Sequence, residues 1–217
     1  MGKRTCRIDM SVMESLFINQ RELIIASSNS GKIQEFINLL KHLPLKIQAQ
    51  PDNLNLNIQE TGMTFAENAC IKATTVAAAT GYWTLADDSG LCVEALNGAP
   101  GIYSARYAST EAMCINRLLN ALGNNKNRKA SFRAALCVAA PDGSILAAVE
   151  GQCDGHITAV PRGQGGFGYD PIFEVAGVGL TFAEMSPDRK RSLGHRGQAF
   201  ALLEPELIRL VDLDSRR

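Results

Sequence analysis

Two adjacent carboxylates, Asp87 and Asp88, follow the apolar run Trp83-Thr84-Leu85-Ala86 and precede Ser89-Gly90. Carboxylates at the end of a buried strand are costly unless a positive partner meets them. A divalent metal is the natural partner, since hard cations choose carboxylate oxygens. The chain is expected to turn sharply at Ser89-Gly90, and a polar turn with an Asp cap and no metal would account for the same residues. A second polar stretch, Ser27-Ser28-Asn29-Ser30-Gly31-Lys32, follows the apolar strand-like run 22–26. Ile33, Phe36, Ile37 and Leu40 then recur at helical spacing over 31–41. Strand, small-residue loop and helix form a phosphate-binding layout, because free backbone N–H groups and the helix N-terminus both favour an anion. Lys32 adds a point charge. Ala26 and Ile33 rule out a Walker A loop, and an ordinary Ser/Asn-capped helix is the simpler alternative.

The third stretch runs from Pro161 to Asp170 and holds four glycines in six residues, Gly163, Gly165, Gly166 and Gly168. Such a backbone can approach a ligand closely. Phe167 and Tyr169 offer flat faces for a base and Asp170 an acceptor, or the two aromatics belong to a core beneath a flexible turn. Arg106 lies between Tyr103 and Tyr107, as a stacked surface residue or an anion ligand. Lys72 and the basic stretch Lys190, His195, Arg196 are either ligand contacts or solvated charge.

The elements that must carry these residues alternate in type. Strands are expected at 22–26, 45–49, 83–86, 130–140, 145–153 and 171–175, the fourth and fifth joined by the hairpin signal Pro141-Asp142-Gly143. Helices are expected from the capping box at Thr64 to Gly81, from 111 to 122 between Thr110 and Gly123, from Ser186-Pro187 onward, and over 198–212. Residues 123–129 are expected to be a mobile loop with solvated basic charge. The pattern implies an α/β fold on a mixed, twisted sheet flanked by helices, whose loops gather at strand C-termini, where ligands bind in open sheets.

Lys+Arg and Asp+Glu number 22 each, so the formal net charge is zero. That argues against a broad nucleic-acid or membrane surface. No apolar run reaches the length of a membrane span. The six cysteines, Cys6, Cys70, Cys92, Cys114, Cys137 and Cys153, form no Cys-x-x-Cys pair and read as reduced residues of a cytoplasmic protein. Residues 1–20 read as a loosely ordered extension without a signal-peptide pattern, with Met10 or Met13 as alternative starts; 21–217 read as one domain.

Lysines and arginine for phosphates, carboxylates for a metal and aromatics for a base together describe a nucleoside phosphate site. At this level of detail the chain resembles the Ham1/RdgB family of inosine/xanthosine triphosphate pyrophosphatases. The resemblance rests on six ordered motifs: Ser27–Lys32, Glu60–Asn68, Ala86–Gly90, Gly98–Arg106, Gly165–Phe173 and His195–Ala199. Two positions depart from the family pattern: Ser27 where Thr is usual, which keeps the hydroxyl, and Gly194 where Ser is common.

The resemblance implies an elongated, two-lobed ITPase-like (anticodon-binding-like) body with a central nucleotide cleft, a homodimer, and hydrolysis of ITP, dITP and XTP to monophosphate and pyrophosphate. It implies Asp88 as catalytic acidic residue, and Glu60 and Asp88 as ligands of magnesium, with manganese as substitute. Asp87 would support that geometry. The substrate contacts implied are Ser27, Ser28, Asn29, Ser30, Gly31, Lys32, Lys72, Ser89 and Arg106, with Phe167, Gly168, Tyr169, Asp170, Lys190, His195 and Arg196 around the base. A pyrophosphatase for modified pyrimidine triphosphates and a non-hydrolysing nucleotide sensor are the competing readings.

Overall fold

A computed structural model describes residues 21–51, 54 and 56–214; the extension expected over 1–20 and Cys6 lie outside them. Six strands form one sheet: β1 (Arg21–Ala26), β2 (Leu45–Ala49), β3 (Trp83–Val93), β4 (Lys129–Ala139), β5 (Ile145–Ile157) and β6 (Phe173–Val175), in the order β2-β1-β3-β4-β5-β6. β1 pairs parallel with β2 and β3, whereas the β3–β4, β4–β5 and β5–β6 pairs are antiparallel. The sheet is therefore mixed, as the alternating pattern requires.

Period-2 alternation assigns the two faces. On one face Leu23, Ile25, Leu85, Leu136 and Val138 pack against α1 (Ser30–Leu40) and α5 (His195–Asp214). On the other, Ile24, Ala26, Ala86, Ala135 and Cys137 meet α2 (Phe65–Thr80). The alanines of α2 let its backbone come close, and Phe65, Ala69, Ala73, Val76 and Ala77 are all buried. Further along β3, β4 and β5, a third cluster gathers Leu91, Val93, Phe132 and Ile157 with α3 (Glu111–Leu122).

Local chemistry sets most boundaries. Thr64 and Glu67 close the capping box of α2, which ends at Gly81 in the left-handed conformation. Thr110 caps α3, and Ser186 with Pro187 opens α4 (Pro187–Leu193). Four smaller expectations need correction. The α1 residue Ile37 is 37% exposed, and Leu39 takes its place in the core beside Phe36 and Leu40. The last helix begins at His195 rather than near 198. The segment at 171 starts as a 3-10 turn, Asp170–Ile172, before strand β6. Arg128 is not solvated charge: its guanidinium donates to the carbonyls of Ile157 at 2.6 Å and Thr158 at 2.9 Å, fastening the loop after α3 to the end of β5.

The largest correction concerns Asp87-Asp88-Ser89-Gly90. The chain does not turn there. β3 runs straight through to Val93, paired with β4 from Thr84–Ala139 to Val93–Ala130. What ends is its other neighbour: β1 stops at Ala26, opposite Ala86. The two carboxylates therefore sit where one side of an interior strand loses its partner. The 97–106 segment fills in behind them, with Ala99 O accepting from Val93 N at 3.2 Å and Ser104 Oγ from Leu91 N at 2.9 Å. Gly90 is glycine for space, since a Cβ there would lie 2.3 Å from the Gly101 carbonyl oxygen and 2.5 Å from Ser104 Oγ. Gly90→Ala should therefore cost about 1–3 kcal/mol, read as a lower urea midpoint at unchanged slope; an unchanged midpoint would show that the 97–106 segment yields freely.

Candidate functional site

Side chains alternate across β3, so Asp87 and Ser89 point to the α1/α5 face and Asp88 to the α2 face. Asp87 is 4% exposed and takes Lys32 Nζ at 2.7 Å. Arg196 Nε approaches its other oxygen at 3.5 Å, an ion pair that leaves both atoms without a hydrogen bond. Ser89 Oγ donates to Asp87 at 3.0 Å and accepts from Arg196 at 2.7 Å. Burial alone would raise the Asp87 carboxyl, but the charges of Lys32 and Arg196 overturn it and hold the group well below the usual carboxylate range. Lys32 is shifted down, because its burial outweighs the attraction of Asp87.

Asp88 lies in a different setting. Lys72 Nζ sits 3.2 Å from one of its oxygens, and Asn68 Nδ2 donates to the other at 3.3 Å. Lys72 also meets Glu60 at 2.8 Å, and Arg106 takes the second Glu60 oxygen at 2.8 Å. Burial lifts the Asp88 pKa above its ordinary value; Lys72 pulls it back and the nearby Glu60 charge pushes it up again. A carboxylate raised in this way is a better proton acceptor than a free Asp. Two adjacent residues thus have opposite electrostatics, Asp87 held as a fixed anion and Asp88 closer to titrating.

Among the described residues, no three His, Cys, Asp or Glu side chains converge as a metal cage. The pair Glu60 and Asp88 nonetheless fits a magnesium-type ion. Lys72 takes one oxygen of each, Glu60 Oε1 and Asp88 Oδ1, which leaves Glu60 Oε2, here on Arg106, and Asp88 Oδ2, here on Asn68, as hard oxygens for an ion; magnesium is commonly bound by one or two carboxylates plus substrate phosphates and water.

The phosphate-type loop is as its letters imply. Asn29 caps α1, its Oδ1 accepting from Lys32 N at 3.0 Å, while Ser27 Oγ accepts from Asn29 N at 3.1 Å. Ser28 and Ser30 are exposed. Gly31 lies against the Phe167 ring, so that a Cβ would fall 2.8 Å from Cδ1. Loop 27–32 and loop 163–170 therefore touch. Above Phe167 stand two cations, Lys190 Nζ at 4.6 Å and the Arg196 guanidinium at 5.4 Å from the ring centre. Lys190 also meets Asp170 at 2.7 Å.

A cavity of about 320 Å³ lies between the two loops, lined by Asn29, Lys32, Ser89, Phe167, Gly168, Asp170, His195 and Arg196 and by residues 108–111; Glu60, Lys72, Asp88 and Arg106 are not in its lining. Tyr169 lines it too but is 5% exposed, its hydroxyl donating to the Ser104 carbonyl at 3.0 Å, so it serves the core as much as the cavity. His195 is 3% exposed and stacks on Phe132 at 4.8 Å and 11°. Neither ring nitrogen has a hydrogen-bond partner. The site can thus accept a polyanion at one end and a flat polar ring at the other.

Two residues have no place in the sequence reading of the site. Glu35 joins Lys190 at 2.8 Å and Arg196 at 2.9 Å, holding both cations near Phe167. Its signal was its position three residues after Lys32 on the same helix face. Asn68 supports Asp88 and also accepts from Gly62 N at 2.8 Å. An asparagine at a core position of an alanine-rich helix was the available hint.

These features define an α/β protein with a nucleotide-sized cleft at the edge of a mixed sheet. The chain belongs to the Ham1 family, whose model matches residues 23–206. It is 60% identical to the dITP/XTP pyrophosphatase of Synechococcus sp. (strain CC9311) over 197 residues, covering 91% of this chain and 95% of that one. It is 63% identical to the protein of the same name from Parasynechococcus marenigrum (strain WH8102), over 90% of this chain and all of that one. Among solved structures, a HAM1 protein from Coxiella burnetii superposes with TM-score 0.79 at 42% identity, covering 87% and 98% of the two chains. The Staphylococcus aureus Ham1 protein gives 0.77 at 39%, covering 86% and 98%.

His195 supplies a test of the cavity's burial. Burial, helped by Arg196, drives its pKa well below the ordinary value, so the ring is neutral in the folded protein. The unfolded chain takes up a proton below about pH 6.5 that the folded chain refuses. Stability is therefore lost as pH falls from there towards the folded pKa, by at most about 1.4 kcal/mol per pH unit from this group. Denaturation midpoints of wild type and His195→Phe should diverge in the variant's favour below pH 6.5. Parallel curves would show an accessible, protonated His195.

Proposed function

We propose that this chain is a magnesium-dependent nucleoside-triphosphate diphosphatase. It hydrolyses dITP, XTP and ITP between the α- and β-phosphates, giving the monophosphate and pyrophosphate, and so removes deaminated purines from the nucleotide pool. The observation that carries this reading is geometric: Asp88, held by Lys72 and Asn68, is the strand neighbour of Asp87, whose partners Lys32 and Arg196 line a cavity that reaches Phe167. The names of the relatives at 60% identity or more point the same way. Manganese would satisfy the same carboxylates. We read the working form as a cytoplasmic homodimer on the family resemblance; no helix among the described residues is long and apolar enough to cross a membrane.

In this reading loop 27–32 and Lys32 hold the triphosphate, and Asp88 accepts the proton of the attacking water or holds magnesium beside Glu60, two roles that compete because a carboxylate on the metal is a poor base. Lys72 keeps that carboxylate in place and stands beside the phosphate oxygens that gain charge, where a fixed cation lowers the barrier. Magnesium, held by Glu60 and Asp88, would neutralise charge on the phosphates and favour departure of pyrophosphate. Asp87 acts at a distance, fixing Lys32 and Arg196 at the angle they need.

Base choice is a hydrogen-bond problem. Hypoxanthine and xanthine carry a 6-oxo acceptor where adenine carries a donor. Arg196 and Lys190 are donors only, so a 6-oxo group can accept from them in exchange for one of their present acceptors, whereas the 6-amino group of adenine cannot. Such sites can discriminate by roughly 10⁴-fold. Guanine shares the 6-oxo group, so rejecting its 2-amino group needs a separate wall in the cavity.

The deciding assay incubates the protein and magnesium separately with dITP, XTP, dATP and dGTP and resolves the products by anion exchange. Monophosphate and pyrophosphate should form from dITP and XTP only; diphosphate and phosphate would place attack at the γ-phosphorus and end this reading. Asp88→Asn should lower kcat about 10³-fold with dITP still bound, and unchanged turnover would remove Asp88 from the proton transfer.

A further inference from the structure

Glu60, one of the two carboxylates that fit magnesium, has both oxygens engaged by cations. Lys72 holds Oε1 and Arg106 holds Oε2, each at 2.8 Å. The two cations differ in how they are held. Lys72 is 14% exposed and also bound to Asp88, so it belongs to the permanent frame. Arg106 is 49% exposed and ends a 3-10 turn, Gly101–Arg106. Apart from Glu60 it touches the exposed Tyr103 ring, 5.4 Å from its centre. Arg106 can therefore swing away at little cost, and Lys72 cannot.

The wider network makes this consequential. The ion pairs fall into two clusters of matched charge: Glu60 and Asp88 with Lys72 and Arg106, and Glu35, Asp87 and Asp170 with Lys32, Lys190 and Arg196. The nucleotide-free site is thus already neutral. A bare divalent ion at Glu60 finds its charge spent, with Arg106 on the oxygen that Lys72 does not hold. A triphosphate changes this balance, because it offers Arg106 a better partner than one half-buried carboxylate.

We propose that Arg106 is a positioning residue that keeps Glu60 closed to the metal until a triphosphate draws its guanidinium away, so that metal and nucleotide enter together. This rests on the reading of Glu60 and Asp88 as metal ligands. It adds an order of events and a residue responsible for it.

The test uses the nucleotide-free full chain and manganese alone, with binding followed by the loss of the free Mn²⁺ electron paramagnetic resonance signal. Repulsion between a divalent ion and one adjacent monovalent cation is worth on the order of tenfold in affinity even in a watery setting. Arg106→Gln should therefore bind Mn²⁺ about tenfold more tightly than wild type, and Arg106→Lys, which keeps the charge, should restore most of the weak wild-type affinity. Adding Glu60→Gln to Arg106→Gln should abolish the gain. Equal affinity of wild type and Arg106→Gln, or a gain that survives Glu60→Gln, would overturn the proposal. Neither result depends on turnover, so failure here is separate from failure of the pyrophosphatase reading, which the product assay decides.

Discussion

The structure depends on how a buried carboxylate is kept charged. Asp87 lies in an interior strand, almost without exposure, and is ionised because α1 delivers Lys32 and α5 delivers Arg196 to it. Removing either partner would strand a charge in the core, which costs several kcal/mol. That penalty locks three elements from distant parts of the chain to a single point. The phosphate-type loop precedes α1, the cavity-lining residues His195 and Arg196 open α5, and Asp88 is the next residue of β3. One ion-paired carboxylate therefore ties β3, α1 and α5 together beside the cavity.

Division of labour between Asp87 and Asp88 follows from strand geometry. Neighbouring side chains on a strand face opposite sides, so two carboxylates that look equivalent in sequence meet different partners. Asp87 meets charges that stay with it. Asp88 meets Lys72, Asn68 and the competing charge of Glu60. The termination of β1 opposite Ala86 leaves this stretch of β3 without its parallel partner.

Much of the fold was legible because its punctuation is local. Thr64 with Glu67, Gly81, Thr110 and Ser186 with Pro187 each act within a few residues, and the structure places helix ends at all of them. The course of β3 was not legible, because Ser89-Gly90 has turn chemistry. What decides it is the β4 ladder and the close carbonyl of Gly101, neither visible from neighbouring letters. Glu35 escaped for the same reason, since its partners lie 155 and 161 residues away. Two basic stretches, 123–129 and 190–196, also look alike in sequence; in one, Arg128 serves backbone carbonyls, and in the other, Lys190 and Arg196 serve buried acids.

The matched charges of the cleft bear on how a ligand arrives. A site with a net positive field draws polyanions from beyond a Debye length and shows on-rates that fall steeply with ionic strength. Here the cations are already engaged by carboxylates, and the chain as a whole carries no net charge. Attraction begins only at contact, once a phosphate starts to replace a carboxylate. Capture is then governed by partner exchange within the cleft rather than by long-range steering, and the association rate should vary little with salt. An enzyme of this kind meets the abundant ordinary nucleotides without concentrating them, and selects only after they have entered.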